Sequence, residues 1–258
     1  MIANYHTHTP RCHHASGTEE EYVQAAIRCG LKTLGFADHT PYFFPDEYYS
    51  PFRMRPHEMP GYVGTVRALR EAYKGQLDIH LGVEAEYYPE LFRRLLAFLQ
   101  EYGVEYMLLG QHFFGDERDA LRNGAGVPSD SEERLRRYCH RTMEAMNTGL
   151  FTYFAHPDML YFTGPDEVFE RYMRPLCREA KSCGVPLEIN LLGVRDNRHY
   201  PRRHLWEIAA EEGCPVVLGY DAHSPEAFAD TAQVERALAL VEELGLTLLE
   251  TVPLRPIG

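Results

Sequence analysis

The sequence predicts an α/β fold, a single-domain distorted TIM-like (β/α)7 barrel, on three observations. Seven short apolar, strand-like runs alternate with amphipathic helical stretches, the order that builds a parallel sheet with crossover helices. Six of the seven runs end in a histidine or a carboxylate, which suggests a shared site at the carboxyl-terminal ends of the strands. The chain has 258 residues, no internal repeat and no linker, so residues 1–258 read as one domain.

The elements follow in order. The first run, residues 4–8, carries His6 and His8; alternate strand residues share a face, so both point the same way, about 7 Å apart. A helix follows, with Thr18 and Glu21 as a capping box, Tyr22, Val23, Ala26 and Ile27 as its apolar stripe and Gly30 as its stop. Run 34–39 ends in Asp38 and His39 and opens into a long connection, 40–56, whose Tyr and Phe content suits a pocket wall. A helix over about 57–74 leads to run 79–84, ending in Glu84, and another over 89–102 leads to run 107–112, ending in His112. The polar connection 113–130 reads equally well as a pocket wall or a packed surface excursion. Helices over 131–147, 166–183 and 202–213 precede runs 152–156 (His156), 187–190 (Asn190, the one neutral ending) and 216–223 (Asp221 and His223); a last helix covers 231–244.

Composition narrows the function. A formal net charge of −12 argues against a broad nucleic-acid-binding face, while leaving room for a small anionic substrate whose site is made positive by metals. The amino terminus runs into a strand without a basic-then-apolar leader, and no apolar run approaches the roughly 20 residues that cross a bilayer. Six cysteines without a CxxC pair are expected to be reduced thiols. A cytoplasmic enzyme with neither membrane nor nucleic-acid partner is the expected class.

Nine residues are candidate metal donors: His6, His8, His14, His39, Glu84, His112, His156, Asp221 and His223. The pairs His6/His8 and Asp221/His223 lie on the first and last runs, which meet where a barrel closes. Nine donors exceed what one four- or five-coordinate ion needs. Imidazole with carboxylate suits Zn, Mn or Fe. Three divalent ions against two carboxylates would leave a charge of about +4, which attracts phosphate. His13 is a weaker candidate; His80 lies deeper and reads as structural; His57, His140, His199 and His204 fall outside the pattern.

At His6-Thr7-His8-Thr9, Asp38-His39, Gly82-Val83-Glu84, Gln111-His112, Ala155-His156-Pro157-Asp158 and Asp221-Ala222-His223 the chain resembles the PHP (polymerase and histidinol phosphatase) superfamily. Within it, Arg11-Cys12-His13-His14-Ala15, Phe52-Arg53-Met54-Arg55, Gly110-Gln111-His112-Phe113 and Leu187-Glu188-Ile189-Asn190 are most similar to the monofunctional histidinol-phosphate phosphatases. The resemblance implies a distorted (β/α)7 barrel and three divalent ions. One ion would take His6, His8, Glu84 and Asp221, a second Glu84, His112 and His156, and a third His14, His39 and His223. Asn4 departs from the Asp common at that position in the family.

The expected reaction is hydrolysis of a phosphomonoester, L-histidinol phosphate giving L-histidinol and phosphate, by attack of a metal-bridging hydroxide. Glu84 and Asp221 would serve it as ligands. Arg195, in the connection after the sixth run, is the first choice for a phosphate clamp, although pairing with Asp196 explains it nearly as well. Arg53, Arg55 and His39 are further candidates for phosphate contact, with Glu86, Asp46 or Glu47 for the substrate ammonium and Asp158 or a metal-bound water as proton donor. Another small phosphomonoester, a nucleotide or phosphotyrosine would use the same site. A metal-dependent amidohydrolase and a non-catalytic PHP scaffold are the remaining alternatives.

Overall fold

The computed structural model describes residues 1–258 apart from Asp116, and the side chains of these apart from Glu47, Leu121 and Arg122. Its strands are β1 (Ala3–Asn4), β2 (Thr33–His39), β3 (Asp78–Ala85), β4 (Tyr106–Leu109), β5 (Phe151–Phe154), β6 (Leu187–Asn190), β7 (Pro215–Gly219) and β8 (Thr247–Leu248). They form one parallel sheet in sequential order, each paired with the next. The seven expected strands are present, and β8 is an addition that the sequence reading missed.

The sheet curls until its two ends meet. Thr7, past β1, pairs in parallel with Ala222, past β7; His8 N donates to Ala222 O at 2.9 Å and Ala222 N to His6 O at 3.2 Å. At the opposite end of β7, Pro215 and Val216 pair with Thr247 and Leu248 of β8. Seven strands therefore close the carboxyl-terminal mouth, and the eighth fills only the amino-terminal end. The barrel is also irregular between β4 and β5, where the register shifts between Met107 and Leu109.

Around the sheet run helices α1 (Glu19–Arg28), α2 (Met59–Ala72), α3 (Pro89–Glu101), α4 (Ala120–Asn123), α5 (Glu132–Asn147), α6 (Asp166–Ser182), α7 (Leu191–Arg195), α8 (Arg203–Glu212) and α9 (Thr231–Leu244). The Thr18/Glu21 capping box is formed at α1, and the other expected helices lie within about two residues of their predicted ends. The short helices α4 and α7 replace stretches expected as loops.

Two apolar bodies hold these layers. Tyr5, Tyr106, Leu108, Tyr153, Ala155 and Val217 fill the barrel interior, with the Tyr106 hydroxyl donating to Tyr5 O at 2.7 Å. Outside it, Phe36, Leu81, Met107, Phe154, Ile189 and Trp206 belong to the larger core under the helices. Tyrosines suit the barrel floor because each brings a hydroxyl that can satisfy a buried backbone carbonyl. Polar groups thus gather at one end, above this floor.

Candidate metal centre

The structure brings all nine candidate donors together at the carboxyl-terminal mouth. Glu84 is their centre. It stands on β3, 1% exposed, and its two oxygens face five imidazoles: His156 Nε2 at 2.8 Å, His39 Nδ1 at 2.9 Å, His6 and His8 Nε2 at 3.5 Å each, and His112 Nε2 at 3.7 Å. The second carboxylate, Asp221, lies 3.0 Å from His8 Nε2 and 3.5 Å from His6 Nε2. His14 and His223 complete the ring, with the His8 and His223 rings stacked 4.1 Å apart.

Most of these residues sit just past their strands rather than on them. His39 and Glu84 lie within β2 and β3, whereas His6, His8, His112, His156, Asp221 and His223 come after the last residue of their strands. Strand alternation therefore does not explain Asp221 and His223 sharing a face. The backbone turns left-handed at His156 (φ 34°) and Asp221 (φ 48°), aiming both side chains inward. Left-handed backbone is unfavourable for a side-chain-bearing residue and is commonly kept at functional sites. Gly110, just past β4, does the converse: a Cβ there would land on the Glu84 carboxylate.

The donor set fits divalent cations. His223 Nδ1 faces its own turn's carbonyl (Asp221 O, 3.0 Å) and His14 Nδ1 faces Cys12 O at 2.7 Å. Donation to those carbonyls places each proton on Nδ1 and leaves a bare lone pair on Nε2, yet the two Nε2 atoms face one another at 3.0 Å. A shared cation resolves that opposition. His6 Nε2, His8 Nε2, His39 Nδ1, Glu84 Oε2 and Asp221 Oδ1 are also buried without a hydrogen-bond partner, a costly arrangement unless a ligand meets them. The atoms of His6, His8 and Asp221, of His6, Glu84 and His156, and of His8, His39 and His223 lie within 4.8 Å of one another in each group. So do those of Cys12, His14 and His223, and the sequence reading did not single out Cys12.

Above this cluster lies a cavity of about 680 Å³. Its walls include Phe52 from the 40–56 connection and Phe113, Gly124 and Val127 from 113–130, so both long connections are pocket walls. Arg195 lines it at the end of α7, its Nε 2.9 Å from Asp196 Oδ1. Arg198 lines it too, held by Tyr200 (2.9 Å) and Asp196 (3.2 Å).

The family model for the PHP domain matches residues 4–191. The chain belongs to the PHP domain family. A protein of Deinococcus radiodurans described as a probable histidinol-phosphatase is 33% identical over 233 residues, 87% of each chain. One of Schizosaccharomyces pombe with the same description is 25% identical over 100% of this chain and 92% of its own. Among solved structures, histidinol phosphate phosphatase of Lactococcus lactis, in complex with zinc, L-histidinol and phosphate, shares the fold with a TM-score of 0.75, at 19% identity over 97% of this chain and 96% of the other. Asp221 and His223 of this PHP chain lie beyond the segment that the family model covers.

Several expectations change in the structure. Arg53 is fully buried with its guanidinium taken by Glu117 and Glu86, so it does not offer itself to phosphate. Glu86 is equally buried, joined to Arg53 and to His112 Nδ1 (2.9 Å), so it orients a donor rather than meeting an ammonium. Arg55 is exposed and stacks on Tyr49, outside the cavity wall. Asp46 is exposed beside Arg118, and the side chain of Glu47 lies outside the described residues. Asp158 faces away from the cavity: its Oδ2 accepts from Arg202 N at 2.6 Å and Trp206 Nε1 at 3.1 Å, and burial pushes its carboxyl up to about 7. His13 meets Glu58 instead of the cluster, and His80 pairs with Asp78 and Glu105.

Further contacts hold the donors, and the sequence reading gave no role to Glu188 or Asp38 among them. Glu188 Oε1 lies 2.8 Å from His6 Nδ1 and its Oε2 accepts from His156 N at 3.0 Å. Asp38 accepts from Thr9 and stands 3.5 Å from His8 Nδ1. Asn4, the departure from the family pattern, still ties the strand ends: its Oδ1 accepts from Tyr220 N at 2.9 Å and its Nδ2 donates to Thr7 Oγ1 at 2.7 Å. The signal for Glu188 was available, as a carboxylate inside an otherwise apolar run.

Electrostatics divide the cluster. Burial opposes ionisation of Glu84 and Asp221, but the surrounding imidazoles outweigh it and hold both well below the usual carboxylate range. Burial likewise opposes charge on His6 and His8, yet Glu188 and Asp221 at the first, and Asp221 and Asp38 at the second, raise both well above 6.5; Glu84 and Glu86 raise His112. His39 and His14 are lowered by burial, and His223 falls to about 3. Without metal, the raised histidines contribute stability that is complete below about pH 6.5 and lost as pH rises through their folded values. The lowered ones lose stability as pH falls below about 6.5. Metal-free protein should therefore melt highest near pH 6.5 and lower on either side, while metal replaces the protons and removes the alkaline decline. Melting curves with and without chelator test this; a metal-free melting temperature that climbs from pH 7 to 9 contradicts it.

Proposed function

We propose that residues 1–258 form one metal-dependent phosphoesterase domain that hydrolyses L-histidinol phosphate to L-histidinol and phosphate, using three divalent transition-metal ions. The observation that carries the reading is the convergence of nine donors, Glu84 at their centre, on the floor of a cavity whose rim holds two guanidinium groups. The relatives' descriptions supply the substrate. His6, His8, Glu84 and Asp221 would hold one ion, Glu84, His112 and His156 a second, and His14, His39 and His223 a third, as zinc, manganese or iron.

A metal held by these residues would supply an acidified water as nucleophile and would neutralise charge on the phosphoryl oxygens. The chain does the rest. Glu84 stays ionised between imidazoles, so it can serve two ions at once. Arg195 offers its outer guanidinium nitrogens to the phosphate while Asp196 fixes its Nε. Arg198, held by Asp196 and Tyr200, adds positive charge to the same wall. Phe52 and Phe113, 5.4 Å apart, give a flat apolar surface suited to an imidazole ring. The substrate is a small anion, with no nucleic-acid or membrane partner; among the described residues no helix is long and apolar enough to cross a membrane. All six cysteines are free thiols, which supports a cytoplasmic setting.

A substrate panel run on one preparation with elemental analysis tests this. About three metals per chain and phosphate release from histidinol phosphate far faster than from nucleotides are expected. In the same assay Arg195→Ala should raise KM roughly 10–100-fold with a smaller change in kcat, as loss of a charge-assisted contact to phosphate requires. Equally slow rates across all phosphomonoesters would remove the substrate assignment, and unchanged constants in Arg195→Ala would remove the clamp.

A further inference from the structure

Arg53 is 0% exposed, the only fully buried arginine or lysine among the described residues. Its Nε lies 3.1 Å from both Glu117 oxygens and its Nη2 lies 2.6 Å from Glu117 Oε1. The same Nη2 donates to Glu86 Oε2, and Nη1 reaches Thr40 O at 3.5 Å. The face of the guanidinium lies over the Phe52 ring at 4.5 Å, and that ring stands edge-on to His39 at 5.0 Å.

These contacts join three parts of the site. Arg53 and Phe52 belong to the 40–56 connection, Glu117 to 113–130, and Glu86 to the segment that follows β3. Glu86 in turn faces His112 Nδ1 with its other oxygen at 2.9 Å, and Tyr88 donates its hydroxyl to Glu117 at 2.7 Å. A carboxylate accepting the Nδ1 proton of a histidine fixes the tautomer and turns Nε2 outward, here towards Glu84. Glu86 can do so only while its own charge is balanced in a buried place, and Arg53 is the cation beside it. Two carboxylates at one guanidinium need the planar fork; a lysine ammonium carries the charge without that geometry.

We propose that Arg53 is a positioning residue: acting through Glu86 it sets the orientation of His112 as a metal donor, and through Glu117 it clamps the two pocket-wall connections together above the centre. The inference rests on the metal-binding part of the function proposed above. It assigns Arg53 to the assembly of the centre and removes it from contact with the reacting phosphate.

Manganese and zinc titrations of the full-length chain against a competing chelator test it, alongside circular dichroism and thermal melting. Arg53→Met and Glu86→Gln should each weaken one class of metal site by about 10–100-fold and leave the remaining sites within about twofold. Because both act on His112, the double variant should be no weaker than the more severe single one. Arg53→Lys keeps the charge and the fold but not the fork, and should show the same loss confined to one site; it also serves if Arg53→Met does not fold. Wild-type metal affinity in Arg53→Lys overturns the proposal, whatever the melting temperature does. So do losses that multiply in the double variant. A wild-type chain that binds no divalent metal would instead overturn the proposed function, and this inference with it.

Discussion

Replacing Glu84 with alanine is expected to remove at least one metal from the centre and to lower kcat/KM by on the order of 10³-fold or more. Five imidazoles face this one carboxylate within 2.8–3.7 Å, and it is buried beyond the reach of bulk water. Among the described residues the neighbouring carboxylates are already committed: Asp221 faces His6 and His8 Nε2 itself, and Glu86 is held by His112 and Arg53. With the charge gone, the raised values of His6 and His112 fall, since Glu84 is among the groups that raise them. In the proposed scheme two cations would then lose a shared anion and repel each other. Elemental analysis and steady-state kinetics on the same sample measure the effect. Glu84→Ala with a full metal complement and kcat/KM within tenfold of wild type would remove Glu84 from the centre of the scheme. Gly110→Ala is the matching control from the neighbouring strand end: it leaves every donor in the sequence, yet its Cβ would displace the Glu84 carboxylate, so a milder version of the same loss is expected.

Apart from His14, which lies in the connection after the first run, the donors were legible because each stands at the end of an apolar run. His39 ends β2 and Glu84 is the penultimate residue of β3, and the pairing of His39 with Glu84 is what sets their side chains on one level. The barrel was legible from the same alternation of runs. Strand length was not: β1 ends at Asn4 and β7 at Gly219, because the turn at Asp221 and the approach of Thr7 to Ala222 belong to barrel closure, a contact between residues more than two hundred positions apart. β8 escaped notice because two residues carry no periodicity. Its place is fixed by pairing with β7 alone.

The supporting residues were harder to read for a different reason. Arg53 and Glu86 carry the charges of substrate-binding groups, and only their burial and mutual pairing reveal that each is spent on the other. Arg195 and Asp196 are adjacent in sequence, so their ion pair was foreseeable, and so was a place for Arg195 at the site; the helix was not, and α7 brings Arg195 to the cavity wall by turning immediately after β6. Arg198 gave no signal of its own. It enters the site through Tyr200, which fills space beside His156.

Glu188 offers the second large effect, and its measurement separates support of the centre from ligation within it. The side chain is 0% exposed on β6, packed where a Cβ on Gly219 would collide with it. It serves four groups: His6 Nδ1 at 2.8 Å, His156 N at 3.0 Å, Asn190 Nδ2 at 3.0 Å and the Tyr153 hydroxyl at 3.3 Å. Asn190 also donates to Asp221 at 3.1 Å, so this one carboxylate reaches the surroundings of three candidate donors. Glu188→Ala strands those groups in a dry interior and should cost about 3–5 kcal/mol of stability in the metal-free chain, the range for breaking a buried charged pair from one side. Glu188→Gln keeps the shape but presents an amide in place of one carboxylate oxygen. It should preserve more of the fold while still weakening metal binding by about 10–100-fold, because His6 loses the charged partner that directs its Nε2 inward. Urea unfolding of metal-free protein and metal titration of the folded protein read the two effects separately. If Glu188→Gln binds metal as tightly as wild type while only Glu188→Ala is destabilised, then Glu188 fills and satisfies the barrel interior without shaping the centre, and the orientation of His6 must come from its backbone link to Ala222.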